Sequence, residues 1–246
     1  MKFVKYLLLI FTLSNSVSAK DYAIEVIIFV NQEGLQQNAE IYDPGIILPV
    51  PKEGLSLFEL KDEFEASHIS QQSEYIESDN ELSPWRLIEP ENFILSSQAR
   101  KLGNSSNYQV LNHFAWRQPA VDRANSQPIL INAGFDYSGI YPERSLQQIE
   151  FSDTDFGLED EQMTGVWELE GTINVVITRY IHFYTDLVYR AERNNPPYEN
   201  DNLQPQQVLV DYEIKSHRKM KSRELNYIDH PIVGILVEVT PIDDEN

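Results

Sequence analysis

Gly165-Val-Trp-Glu-Leu-Glu-Gly-Thr-Ile-Asn-Val-Val-Ile-Thr-Arg-Tyr-Ile-His-Phe-Tyr-Thr-Asp-Leu-Val-Tyr-Arg190 is the longest β-like stretch in the chain. It is dense in Val, Ile, Thr, Tyr and Phe, whose branched and ring side chains suit a pleated, half-buried surface. A bend near Thr178 makes two strands of it. Downstream, a polar loop with Pro196, Pro197 and Pro205 leads to a strand from Val208 to Met220, and Ile235 to Thr240 forms a last one before an acidic tail. These connections permit antiparallel pairing. Upstream, residues 150–162 carry Asp153, Asp155, Glu159, Asp160 and Glu161 and read as a solvated loop. Before that loop, strict alternation puts Tyr108, Val110, Asn112, Phe114 and Trp116 on one strand face, with Leu111, His113 and Ala115 on the other. Pro119 ends this strand, and Pro128-Ile-Leu-Ile131 is a short addition.

Leu95, Ala99 and Leu102 recur at i, i+4 and i+7, which gives a helix one apolar face that Gly103 can end. Tyr22-Ala-Ile-Glu-Val-Ile-Ile-Phe-Val30 reads as a buried first strand. Between residues 31 and 83 the pattern dissolves into Gln, Glu, Ser and Asp, punctuated by Pro44, Pro49 and Pro51, and a long loosely packed insertion is expected. The expected fold class is α+β: a mostly antiparallel sheet with one main helix between the first two strands, in a single domain over residues 20–246.

Residues 1–19 have the order of a cleavable secretory signal: Lys2 and Lys5, an apolar run from Tyr6 to Leu13, then small residues ending Val17-Ser-Ala19. The apolar run falls short of the roughly 20 residues that span a bilayer. An exported chain with no transmembrane anchor is expected. Cysteine is absent, which excludes disulfides, thiolate metal sites and a cysteine nucleophile. The net charge of −20, more negative once Lys2 and Lys5 are removed, opposes nucleic acid at long range.

Lys215-Ser-His-Arg-Lys-Met-Lys-Ser-Arg223 stands out against that charge. If the strand persists, Lys215, His217, Lys219, Lys221 and Arg223 share a face and form a cationic stripe suited to carboxylates or phosphates. The plainer reading is a solvent-facing edge whose lysines discourage aggregation. Trp85, Trp116 and Trp167, with thirteen Tyr and eleven Phe, could stack on sugar rings or simply fill a sheet core. Trp116 is the best candidate for stacking, because Arg117 and Gln118 follow it where the strand ends. Arg179 joins this candidate ligand set. Asp229-His230, with His182 or His113, could be drawn as an acid–base or metal group, yet no HExxH, GxSxG or SxxK spacing occurs, so neither catalytic residues nor a cofactor are expected.

Four segments taken in order resemble the CsiV family of periplasmic peptidoglycan-binding proteins of Gram-negative bacteria. They are Tyr22 to Phe29, Tyr108 to Pro119, Gly171 to His182, and Arg218 to Gly234 running into Leu236 to Pro241. The last is the most specific, a basic run followed by Glu-Leu-x-Tyr-x-Asp-His-Pro, with Asn226 where a His is expected. The resemblance implies a non-enzymatic periplasmic accessory factor. Its partners would be peptidoglycan and the outer-membrane lipoprotein activator of a bifunctional peptidoglycan synthase. It carries no established binding residues. A protein-interaction adaptor without wall binding and a wall hydrolase are the alternatives.

Overall fold

A computed structural model describes residues 20–37, 46–56, 84–145, 165–195 and 206–242. The segment 1–19, where a leader is expected, and the acidic stretch at 150–162 lie outside the described residues. The strands are β1 (Asp21–Asn31), β2 (Leu55–Ser56), β3 (Arg86–Leu87), β4 (Tyr108–Pro119), β5 (Ile129–Asp136), β6 (Trp167–Ile177), β7 (Ile181–Asn195), β8 (Gln206–Met220), β9 (Asn226–Ile228) and β10 (Val233–Pro241). Helix α1 spans Gln32–Gln37 and α2 spans Ser96–Gly103.

These strands form two five-stranded sheets, not one. The first has the order β3-β4-β1-β10-β9 and the second β2-β5-β6-β7-β8. All described pairings are antiparallel except β2 with β5. One apolar cluster joins the sheets face to face, with Ile24, Val26, Phe114, Trp116, Val237 and Val239 from the first and Ile131, Ile173, Val175, Phe183, Leu187 and Ile214 from the second. Alternation along each strand supplies this core, since every second side chain points to the same face.

The outer face of the first sheet is covered by α2. Leu95, Ala99 and Leu102 pack on Ile27, Phe29, Val110 and Leu236, which explains why β1 is buried on both faces from Ile24 to Val30. Buried Glu25 fixes the entry to this helix, accepting N–H bonds from Ile94 at 2.7 Å and Leu95 at 2.8 Å and contacting His113 Nε2 at 2.7 Å. The helix lies between β1 and β4 along the chain, but α1 and the two-residue strands β2 and β3 also intervene.

Strict alternation also fails in β4. The register against β1 slips between Ile28 and Phe29, so that Asn112 and Val110 are successive partners and Leu111 is the extra residue. Such a bulge reverses the facing of everything beyond it. Val110 therefore meets the helix, whereas Phe114 and Trp116 enter the core between the sheets.

Within the 31–83 stretch, α1 is tied down by Arg193 Nη2 donating to Leu35 O, Leu48 N–H donates to Asp211 at 3.0 Å, and Leu55 pairs with Ile129. Residues 38–45 and 57–83 lie outside the described residues.

Candidate functional site

Period 2 on β6, β7 and β8 sorts the second sheet into a core face and an outer face. The outer face has two halves. Toward the start of β6 it is closed over a buried ion network: Arg190 contacts Glu170 at 2.5 Å and Asp211 at 3.5 Å, and Arg144 reaches Asp211 at 3.2 Å and the Leu209 carbonyl. Toward the β6–β7 hairpin it is open. There the cross-strand rows are Thr172, Asp186 and Lys215, then Asn174, Tyr184 and His217, then Val176, His182 and Lys219.

The loop from Ala120 to Pro128 carries the chain from the first sheet to the second and borders this open half. Ile177 N–H donates to Val121 O at 2.9 Å, and Asn174 Nδ2 donates to Ser126 Oγ at 3.2 Å, which holds the loop against β6. Asp122 braces the turn from within by accepting the N–H groups of Ala124 and Asn125. Between loop and strands lies a groove of about 510 Å³ whose lining includes Arg123, Pro128, Asn174, Tyr184, Asp186 and His217. That is within the range of small-ligand clefts.

The groove is aromatic and cationic. Tyr184 stacks on His217 with ring centroids 4.3 Å apart and planes 5° apart, and Arg123 Cζ lies over the same tyrosine at 4.8 Å. His182 Nδ1 and His217 Nε2 share a hydrogen bond of 2.9 Å, so one ring donates and the other accepts. At the hairpin, Lys219 Nζ sits 3.4 Å over the ring of Tyr180, with Arg179 Cζ 5.5 Å from that ring. Lys215 is held by Glu213 at 3.0 Å and Asp186 at 3.5 Å, and the Glu213 bond together with the nearby Asp186 charge raises its pKa.

Of the candidates read from the sequence, the structure brings Arg179, Lys215 and Lys219 together on this face. It removes Trp116 and Gln118 from any surface. Trp116 is 0% exposed and donates Nε1–H to Gln118 Oε1 at 2.8 Å, while Gln118, 1% exposed, donates to Val175 O at 2.9 Å. The pair is a polar link across the core between the sheets. Arg117 lies on β4 in the first sheet and pairs with Asp21, its Nε donating at 2.6 Å. The cationic stripe is shorter than expected, because β8 ends at Met220. Lys221 and Arg223 fall in the turn beyond it, where Arg223 has φ 60° and Lys221 lies 3.6 Å from Glu224.

The histidines drawn as an acid–base group are dispersed. His113 contacts Glu25, His182 contacts His217, and His230 Nδ1 accepts the N–H groups of Ile232 and Val233 at 3.3 and 3.4 Å. Asp229 accepts the Tyr227 hydroxyl instead, at 2.7 Å. Among the described residues no three His, Asp or Glu side chains converge as a metal site would require. Sequence reading missed Arg123, Tyr180 and Tyr184. Alternation from Ile181 to Arg190 is the signal that could have put Tyr184 beside His182 on one face, but nothing in the sequence indicated that the 120–128 loop would border it.

A strand sandwich whose open face carries stacked rings, cations and a groove has the make-up of a ligand-binding module. The sequence model of one family, described as "Peptidoglycan-binding protein, CsiV", matches residues 2–242. The chain belongs to the CsiV family. No curated protein and no solved structure matches it significantly. No helix among the described residues is long and apolar enough to cross a membrane.

Proposed function

We propose that this protein is a periplasmic accessory factor that binds peptidoglycan through the open outer face of β6, β7 and β8. It is exported by a cleavable leader at residues 1–19. It supports a bifunctional peptidoglycan synthase through that synthase's outer-membrane lipoprotein activator, without catalysing a reaction itself. The observation that carries the binding reading is the cluster of Arg123, Arg179, Lys215 and Lys219 around Tyr180 and Tyr184, in an otherwise acidic chain that belongs to a family of peptidoglycan-binding proteins. Peptidoglycan offers carboxylates to such cations. Because fields from exposed charges fade beyond about 8 Å at physiological salt, this local cluster outweighs the net charge of the chain.

The test is co-sedimentation of the purified chain lacking residues 1–19 with insoluble sacculi. Enrichment in the pellet is expected, and it should fall when Arg179 and Lys219 are both replaced by Ala. A pellet no richer than that of an unrelated acidic protein refutes the reading. Release of soluble muropeptides in the same tube would overturn the non-catalytic part.

A second reading, an envelope adaptor that binds only protein, is favoured by one feature. β8 is a fifteen-residue strand at the end of its sheet, where a partner strand could add. Crosslinked recovery of a lipoprotein without sacculus binding would select it.

A further inference from the structure

We infer that the groove beside Tyr184 reads the free carboxylates of the wall's stem peptides and not the sugar rings of its glycan strands, with Arg123 as the anchoring residue. The inference rests on the wall-binding reading above and narrows it to one component of the polymer.

Sugar recognition by stacking needs an aromatic face open to the ligand. The ring that lines the groove, Tyr184, is not free: it is stacked by His217 at 4.3 Å and has Arg123 over it at 4.8 Å. A sugar could lie on it within the groove only by displacing a stacked neighbour and forfeiting its contact.

The cations, in contrast, are free to bind an anion. Among the described residues Arg123, Arg179 and Lys219 contact aromatic rings and no carboxylate. Elsewhere Arg117, Arg144, Arg190 and Lys221 are each matched to an acid. The acids nearest the groove are already engaged, Asp186 with Lys215 and Asp122 with the N–H groups of its own loop. A guanidinium stacked over a ring keeps its in-plane N–H donors available, and these fit a carboxylate in bidentate fashion. A space of about 510 Å³ suits a short peptide end.

The experiment uses the chain lacking residues 1–19 with four probes: intact sacculi, a sugar-free stem tetrapeptide, the same tetrapeptide with its carboxylates amidated, and glycan strands stripped of peptide. The expected result is binding to sacculi and to the free tetrapeptide, with at least tenfold weaker binding of the amidated peptide and of the stripped glycan. Arg123→Ala should weaken the tetrapeptide at least tenfold. Arg123→Lys should fall between, because an ammonium cannot make the bidentate contact. Arg123 is exposed on its loop, so both variants should melt like the parent.

If stripped glycan binds as well as sacculi, or Arg123→Ala leaves tetrapeptide affinity unchanged, the inference is overturned while sacculus sedimentation keeps the wall-binding reading. If sacculi do not sediment the protein but the tetrapeptide binds in an Arg123-dependent way, the wall-binding reading fails and the groove assignment stands.

Discussion

Replacing Trp116 with Phe distinguishes a side chain that holds the sheets together from one that holds a ligand. Trp116 is fully buried, lies 5.7 Å from Phe114 in a near-parallel stack, and donates its indole N–H to Gln118. Phe would keep most of the ring packing and remove the N–H. Gln118 Oε1 would then be left without its donor in a dry core, at a cost of about 1–3 kcal/mol. The smaller ring leaves a partial void that adds to this. A total near 2–3 kcal/mol lowers the melting temperature of a chain this size by roughly 5–10 °C. Thermal and urea unfolding followed by circular dichroism measure the loss, and sacculus sedimentation below the transition measures binding. We expect a large drop in stability with binding unchanged. An unchanged melting curve with reduced sedimentation would put Trp116 on the ligand surface and refute the core assignment.

Arg190→Met should cost about 3–5 kcal/mol, since it leaves buried Glu170 without its cation and Asp211 with Arg144 alone, and denaturant unfolding at neutral pH reads it directly. Gly171→Ala should destabilise by more than about 1 kcal/mol: the residue has φ +134°, and an added Cβ would lie 2.2 Å from Asp186 O. Acid should weaken the turn at His230. Burial lowers the pKa of this imidazole below its usual 6.5, against the smaller opposing pull of Asp229, and its Nδ1 accepts two backbone N–H groups. The unfolded chain therefore binds the proton more readily, so the stabilisation is intact above pH 6.5 and is lost as pH falls from there through the folded value. His230→Asn, which keeps an acceptor without titrating in that range, should flatten this part of the stability profile; parallel melts from pH 7.5 to 5 with the same slope in both proteins would refute it.

Much of the fold was legible because one-dimensional patterns report one-dimensional constraints. β1, β4, β6, β7, β8 and β10 follow from runs of branched and aromatic residues, and α2 from the spacing of Leu95, Ala99 and Leu102. The division into two sheets was not legible, because it depends on which strands pair, and β1 chooses β4 and β10 over its neighbours in sequence. The face assignment held in β8 from Lys215 to Lys219, where alternation is unbroken, and failed in β4, where the bulge at Leu111 reverses it. That reversal is invisible in composition, since both settings of the strand show plausible apolar faces.

The same division runs through the candidate site. The sequence by itself determined the acidic chain, the basic run ending β8, the want of cysteine chemistry and the motifs that resemble CsiV. These are local properties of residue type and spacing. Only the tertiary structure decided which cations meet. Arg123 and Lys215 are 92 positions apart, yet the 120–128 loop and the pairing of β6, β7 and β8 place both on one groove. Only the tertiary structure, too, moved Trp116 and Gln118 from surface to core, because burial depends on the second sheet packing over them, a long-range contact that no local pattern encodes.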